Sequence, residues 1–581
     1  MNSKNIFKDW SRDKILHEYK ALLKRKKFGL VWENKPEDFA IQCKELLPVL
    51  QEDDSKQIYN NKETQVNILI EGDNYHALSV LNYTHKKKID FIYIDPPYNT
   101  GAKDWKYNNS FVDENDPYRH SKWLSFMEKR LRFAKNLLKD DGIICVTIDD
   151  YEMPRLWCLM DEVFGEKNHL GTVVIRNNPK GRKTARKVSL IHEYALFFGR
   201  SDTSKIKKVA IPPEEKTHNY KQDKDGNWFL AVNLRKQGVD SLATNKRGEI
   251  SERYYPIYFN PETKQVSTKQ KLQAKILPMD SNGEKRIWRR SKDVIDEMFE
   301  SGDLWYQKTK YGDQLYYKFR GGLDGEPPES IWYDSKFSAS EHGTLVLDKI
   351  LGKREMFQYP KSHYAVIDCI KAGTSNKKAV VLDFFAGSGT TGQAVLQMNE
   401  DDGGNRQFIL CTNNEDNDGT GIRIATDICY PRLKKVINGY STNGNDIKGL
   451  GGNLKYFKTD FVQNVKTDND KRIFTLRSSE MLCLAEGTFN KVAGKKDLFG
   501  IFENSEQMTG IIFDEDSIID FKKEIEKYNK PLVVYVFSYD HTYNEDDFEG
   551  MKNLITVKPI PEVILNIYRK IYKDLDKPRN L

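Results

Sequence analysis

Apolar and polar positions along the chain fall into alternating blocks of two different periods. Val66 to Ile70 forms a β-type apolar run leading into Glu71-Gly72-Asp73. Asn74 to Leu81 then carries a helical pattern that ends before Lys86-Lys87-Lys88. A second buried strand, Phe91 to Ile94, follows. Between 121 and 139, Trp123, Met127, Leu131, Ala134 and Leu138 recur at spacings of three and four, which predicts one apolar face of a helix. Asp140-Asp141-Gly142 is expected to stop that helix, and IICVTIDD reads as the next strand. Strand alternating with helix predicts an α/β fold built on a doubly wound, mostly parallel sheet.

The alternation disappears between about 201 and 345, where Lys, Asp, Asn, Trp and Tyr dominate with few clean periods. It resumes at Ala379 with AVVLDFF, a glycine turn, the helical TTGQAVLQM and the strand RQFILCT. The Gly- and Asn-rich stretch 438–453 reads as a long loop. Beyond about 475, strands near TGIIFD, LVVYVFS and LITVKP outline a small α/β domain. The expected segments are 1–60, 61–200, 201–345, 346–470 and 471–581. With 581 residues the chain is too long for one core.

Composition narrows the class. A hydrophobic fraction of 38% with 30% charged and 12% aromatic residues is that of a soluble globular protein. A formal charge of +7 is compatible with a polyanionic partner without demanding one. The cysteines, at 43, 145, 158, 369, 411, 429 and 483, form no CxxC pair, so neither a disulfide framework nor a metal site is expected. No run of about 18 apolar residues could span a bilayer, and the start carries no apolar export core, so a cytoplasmic location is expected.

Two short stretches carry chemistry. In VVLDFFAGSGTTG, 380–392, Gly387, Gly389 and Gly392 satisfy G-x-G-x-x-G between a strand and a helix, and Glu415, 23 residues past Gly392, could bind a ribose. Dinucleotide binding would be a fair reading of this motif alone. Asp383 decides against it, because a carboxylate four residues before the first glycine repels a pyrophosphate and attracts a cation. S-adenosylmethionine, with an ammonium and a sulfonium and no phosphate, is such a ligand. The second stretch is IDFIYIDPPYNTG, 89–101, where a buried strand ends in an acid beside a stiff, donor-poor backbone. Methylating an exocyclic amine of a base needs acceptors on both N–H bonds, because the nitrogen lone pair is delocalised into the ring. Asp95 can accept one and the Pro96 carbonyl the other. Pro96 and Pro97, with φ fixed near −65°, hold those oxygens in place beforehand. Tyr98 would stack on the base, which must first leave the duplex.

D-P-P-Y-N-T-G followed by F-A-G-S-G-T-T resembles the amino-methylating, S-adenosylmethionine-dependent DNA methyltransferases, in the motif order of the β class. KFGLVWENKPED, EGDNYHAL at 71–78, HEYALFF at 192–198, FQYPKS at 357–362 and VKPIPE are similar to the modification subunits of type III restriction–modification systems. The resemblance implies N6-adenine as the methylated group. It places Asp95, Pro96, Pro97 and Tyr98 at the target amine, with Asp95 also neighbouring the cofactor. Phe385, Gly387, Gly389 and Thr390 fall at the cofactor's methionine end. Asp73 lies by its adenine, or simply caps a helix, and Glu415 lies by its ribose. Lys361 falls where the family often has Lys-Pro, although Ser362 replaces that proline here. The resemblance further implies a catalytic half in 61–200, a cofactor-binding half in 346–470, a target recognition domain in 201–345 and a C-terminal domain for dimerisation or subunit docking. It also implies double-stranded DNA as substrate, a homodimer, and a restriction subunit carrying helicase and nuclease activity as partner.

For DNA contact, residues 171–200 hold Arg176, Lys180, Arg182, Lys183, Arg186, Lys187 and Arg200 against the single acid Glu193, in a stretch whose Asn-Asn-Pro-Lys-Gly segment predicts a loop. Phosphate binding is the expected role. KRIWRRSKD, 285–293, offers Arg289 and Arg290 for base readout. The alternatives are N4-cytosine methylation, a recognition module that positions a nuclease without methylating, and an NAD-dependent dehydrogenase, which leaves DPPY unexplained. No Walker loop is present, so ATP hydrolysis would have to come from another chain.

Overall fold

Runs of β-branched and aromatic residues bounded by Asp, Pro and Gly fold into ten strands of one twisted sheet. The computed structural model describes residues 11–16 and 32–575, apart from 62–63, 102–105, 108–109, 182–187, 209–219, 224, 246, 311, 321–325, 417–420, 443 and 541. In chain order the strands are β1 (Leu46–Glu52), β2 (Val66–Glu71), β3 (Ile89–Ile94), β4 (Leu138–Ile148), β5 (His169–Ile175), β6 (Glu193–Gly199), β7 (Ile331–Trp332), β8 (Val380–Asp383), β9 (Gln407–Thr412) and β10 (Asn453–Gln463). Across the sheet the order is β1-β10-β2-β9-β8-β3-β4-β6-β5-β7. The six strands from β10 to β4 are mutually parallel, while β1 and β6 run against their neighbours.

Helices cover both faces: α1 (Asn74–Thr84), α2 (Arg119–Leu137), α3 (Met153–Phe164), α4 (His363–Gly373), α5 (Thr390–Asp402) and α6 (Tyr430–Asn438). The period of two along each strand explains why apolar runs are continuous here. In β3, Ile92 and Ile94 enter one core with Ile144 and Val146, whereas Phe91 and Tyr93 enter the other with Ile143 and Cys145. From β8 the chain crosses through α5 to β9 on one side. From β3 it crosses through α2 to β4 on the other. β8 and β3 are therefore the topological switch point, where open α/β sheets form their ligand crevice beyond the carboxyl ends of the strands.

Two local readings are corrected. Helix α2 ends at Leu137, before Asp140-Asp141-Gly142, because Leu138 is already extended and paired with Ile89. Residues 139–142 then bulge opposite Asp90. Within 438–453 the chain forms an antiparallel hairpin, Gly439–Thr442 with Asn445–Lys448, whose tight connection includes Gly444 at φ +77.

Residues 208–328 form a separate compact unit. It holds a four-stranded antiparallel sheet of Tyr220–Gln222, Trp228–Asn233, Leu304–Thr309 and Gly312–Phe319, a three-stranded sheet around Ile257–Phe259, and the helix Lys292–Glu300. Tyr255, Ile257, Trp288, Leu304 and Leu315 pack as its core. The C-terminal segment adds five strands, β11 (Asn490–Lys495), β12 (Phe499–Glu503), β13 (Met508–Ile512), β14 (Leu532–Phe537) and β15 (Leu554–Ile560), and ends in α7 (Glu562–Leu575). This segment is fused to the main sheet: Ile564, Leu565 and Met481 share a core with Leu78 and Leu81, and the Tyr568 hydroxyl donates to Pro48 O at 2.7 Å. Among the described residues no helix is long and apolar enough to cross a membrane.

Helix α4 rides so close to β3 that a Cβ on Gly373 would lie 2.1 Å from two ring carbons of Phe91. Gly373→Ala is expected to lower unfolding free energy by about 1–3 kcal/mol through overpacking. Denaturant unfolding checks this, and an unchanged midpoint contradicts it.

Candidate active site

Strand β3 stops at Asp95 because Pro96 and Pro97 have no N–H with which to continue the ladder. The turn that follows is pinned on both sides. Trp123 Nε1 of α2 donates to Pro97 O at 2.7 Å. Asn99, fully buried and left-handed at φ +57, donates from Nδ2 to Glu152 Oε1 at 2.5 Å. Glu152 is itself buried, and its Oε1 also meets His120 Nδ1 at 2.5 Å.

The two oxygens of Asp95 are treated differently. Oδ1 accepts from Thr147 Oγ1 at 2.8 Å and Tyr98 OH at 2.8 Å, and lies 3.1 Å from Lys361 Nζ. Oδ2 has no hydrogen-bond partner among the described residues, and neither has the adjacent Pro96 carbonyl. Lys361 also donates to the Tyr98 hydroxyl and to Glu193 Oε2, the latter at 2.5 Å. Glu193, at the start of β6 and 2% exposed, further accepts from Asn177 Nδ2 at 2.7 Å and lies 3.1 Å from Tyr98 OH. Burial alone would lower the Lys361 pKa, but Asp95 and Glu193 hold it above the ordinary lysine value. Burial, with Asp95 and Glu193 adding to it, pushes the Tyr98 phenol well up, so it stays a neutral donor. The sequence assigns no site role to Glu193, Thr147 or Asn177: Glu193 stands there as the one acid of a basic stretch, within the HEYALFF likeness, and Asn177 as part of a loop.

Beside this cluster, β8 ends in Asp383. Its Oδ1 accepts from Phe385 N at 2.9 Å and its Oδ2 from Thr391 Oγ1 at 2.5 Å. Burial, helped by neighbouring Asp95, lifts its carboxyl to about 7 against these hydrogen bonds. Phe385, Gly387 and Thr390 line the same cleft as Asp95. Gly387 (φ +49) lies under Phe357 of the FQYPK segment, whose ring a Cβ would meet at 3.1 Å. Gly389 stands apart from the cleft wall. At φ +80 it caps α5, and a Cβ there would face Cys429 Sγ at 3.0 Å. Asp73 is both cap and wall: it accepts from Tyr75 N at 2.8 Å and also lines the cleft. Fully buried Arg130, absent from the sequence reading, joins it to Glu37 (2.6 Å) and Asn74 (2.5 Å). Asn74 in turn donates to Phe384 O at 2.9 Å, tying the EGDN turn to the glycine loop. Glu415, three residues past β9, lines the cleft as well. Lys361 lines this same cleft, bonded within the Asp95 cluster.

The cleft encloses about 1110 Å³, beyond the roughly 300–1,000 Å³ usual for one ligand, so a nucleoside cofactor and a base have room together. Its walls carry eight carboxylates, including Asp73, Asp95, Glu193, Asp383 and Glu415, against the single lysine Lys361 among the described residues. Such a field favours a cationic donor and a neutral acceptor over a diphosphate. Among the described residues, none of the cationic groups expected to meet DNA lines the cleft. Lys180 is exposed, on the loop whose Asn177 and Asn178 reach the cleft rim, and Arg176 is half-buried with its N–H on Trp332 O. Arg182, Lys183, Arg186 and Lys187 lie outside the described residues. In the separate unit, Arg289 Nε donates to Asn233 O at 3.0 Å and Arg290 lies over the Tyr317 ring at 5.1 Å, so both are half-buried and already engaged there.

An acid-proline strand end beside a glycine loop, in a cleft at the sheet's switch point, defines a Rossmann-like group-transfer enzyme. Residues 89–417 match the DNA methylase family model, more than half of the chain, and the protein belongs to that family. It is 35% identical to the type II methyltransferase M.KpnI of Klebsiella pneumoniae, over 67% of this chain and 91% of that one. It is 30% identical to the EcoPI Mod subunit, a type III restriction–modification enzyme of Escherichia phage P1, over 78% and 75% respectively. The StyLTI Mod subunit of Salmonella typhimurium is 29% identical over 60% and 52%. The enzyme is a DNA methyltransferase with S-adenosylmethionine as its cofactor. The wall fits that group: Asp383 suits its cationic part, and Gly387 leaves room for backbone approach.

Because the carboxyl of Asp383 titrates near pH 7 and a cation binds its charged form, cofactor affinity is expected to fall about tenfold per pH unit below 7 and to level off above it. Asp383→Asn should weaken binding and flatten the profile. Calorimetric titration between pH 5.5 and 8.5 checks this, and a flat wild-type profile contradicts it.

Proposed function

We propose that this enzyme methylates N6 of adenine in double-stranded DNA, as the modification subunit of a type III restriction–modification system. The observation that carries the reading is the paired vacancy at the end of β3. Asp95 Oδ1 is occupied by protein donors, while Oδ2 and the Pro96 carbonyl each retain full accepting capacity. An exocyclic NH₂ presents two donors, and two fixed acceptors match it.

The nitrogen of such an amine attacks only as it pyramidalises and withdraws its lone pair from the ring. Acceptors on both N–H bonds stabilise that geometry, and oxygens held beforehand by Pro96, Pro97, Trp123 and Thr147 need no reorganisation at the moment of reaction. S-adenosylmethionine supplies an activated methyl group when bound. The base reaches the cleft only out of the duplex stack, and Tyr98 offers it a ring, a contact that is typically about 1–3 kcal/mol. Since the cleft is acidic, phosphates are expected to stay on the rim, where Lys180 can meet them. The DPPY form of the motif favours adenine over cytosine N4. A homodimer and a separate restriction subunit complete the proposed assembly; the relatives named as Mod subunits of type III restriction–modification enzymes support the second of these. Residues 208–328 are the proposed target recognition domain.

Incubation with tritium-labelled S-adenosylmethionine and mixed duplex DNA, followed by digestion to nucleosides, should place label in N6-methyladenine. Label in N4-methylcytosine, or no label in DNA, overturns the proposal. Asp95→Ala is expected to abolish transfer while leaving cofactor affinity within about an order of magnitude, because the acid acts chiefly in the transition state. Equal loss of both would contradict that. The Tyr98 hydroxyl shares the Asp95 cluster, so Tyr98→Phe should lower kcat about tenfold, the worth of one hydrogen bond to a charged group. Tyr98→Ala, which also removes the ring, should cost more, and equal kcat values for the two variants would refute stacking.

A further inference from the structure

Helix α6 carries Arg432 beneath the glycine loop. Its side chain is fully buried, and every hydrogen bond it makes goes to a neutral oxygen. Nη1 donates to Ser388 O at 3.2 Å, Ser388 Oγ at 2.9 Å and Thr390 Oγ1 at 2.8 Å, while Nε and Nη2 donate to Gln393 Oε1 at 3.0 and 2.9 Å. No carboxylate among the described residues pairs with it. Burial lowers its pKa to about 10, which still leaves the guanidinium charged at neutral pH. A buried charge without a counter-charge is costly, so an anion brought near it is favoured.

Ser388 and Thr390 relay this charge to the cleft. Both line it, at 2% and 6% exposure. Each hydroxyl accepts from Arg432, so its own proton is left to donate elsewhere. The two oxygens lie 3.4 Å apart, so at most one of the two protons is spent between them. At least one donor remains for a ligand. Asp383 stands at the start of the same loop with opposite charge. One loop thus presents an anion and a buried cation, the complement of an α-amino-acid zwitterion.

We propose that Arg432 is a positioning residue for the amino-acid moiety of the cofactor: through the Ser388 and Thr390 hydroxyls it selects the α-carboxylate, while Asp383 takes the ammonium. This rests on S-adenosylmethionine as the cofactor and adds the group by which its carboxyl end is told from a neutral one.

The test is calorimetric binding to the full chain of two ligands, S-adenosylhomocysteine and its decarboxylated analogue. Wild type is expected to prefer the carboxylate-bearing ligand by about ten- to hundredfold, the range of charge-assisted hydrogen bonds. In Arg432→Met that preference should collapse to within about threefold, by weakening the carboxylate-bearing ligand alone. Should Arg432→Met fail to fold, the double variant Ser388→Ala, Thr390→Val, which keeps the arginine, is expected to lose the same preference. Equal weakening of both ligands, a retained preference in the variant that folds, or a wild type indifferent to the carboxylate overturns the inference. A wild type that binds neither ligand overturns the cofactor assignment itself, which separates the two failures.

Discussion

Everything in the catalytic unit depends on two carboxylates being held at the ends of neighbouring parallel strands. Asp95 closes β3 and Asp383 closes β8, and adjacent strands lie only about 4.8 Å apart. Burial chiefly raises the proton affinity of Asp383, and the like charge of Asp95 adds to it. The fold tolerates the pair by answering each acid separately. Asp95 receives two hydroxyls and an ammonium on one oxygen, and Asp383 receives a hydroxyl and a backbone N–H. What stays uncompensated is the space between them, and a cationic methyl donor supplies the missing positive charge there. Neutralising the buried Asp383 carboxylate thus adds to the donor's binding.

The order of the motifs in the chain follows from the sheet. The acid-proline turn precedes the glycine loop by almost 300 residues, yet the switch between β3 and β8 makes them neighbours. No direct sequence proximity is needed, because parallel strands on either side of a switch point deliver their loops to one crevice.

Local features were legible in the sequence and long-range partners were not. The strand ends, the Asp73 cap and the α2 stripe each depend on residues within one turn or one strand, and Asp95 and Gly387 do line a common cleft. Lys361 is bonded to Tyr98 across 263 positions and to Glu193 across 168, a pairing that only the closed sheet creates. Arg130 and Arg432 are similarly hidden: a lone arginine on a helix reads as surface until its burial is known. The region after 201 read as irregular because its strands run from two to eight residues, too short for alternation to show. The hairpin after Gly439 was taken for a loop because Asn and Gly mark both.

The separate unit 208–328 leaves and re-enters the catalytic unit through fixed points. Before it, Lys207 N–H donates to Ala372 O at 2.8 Å; after it, Ser330 O accepts from Val174 N–H at 2.8 Å and β7 pairs with β5. Both anchors belong to the methyl-transfer unit, and the side chains of Ile206 and Trp332, packed in its core, back up the backbone hydrogen bonds. Both clamps lie outside 208–328, so the stretch between them can be rewritten or exchanged like a cassette without touching them. With the target-recognition role proposed for that stretch, new DNA targets could be acquired in this way while the methyl-transfer apparatus is inherited untouched.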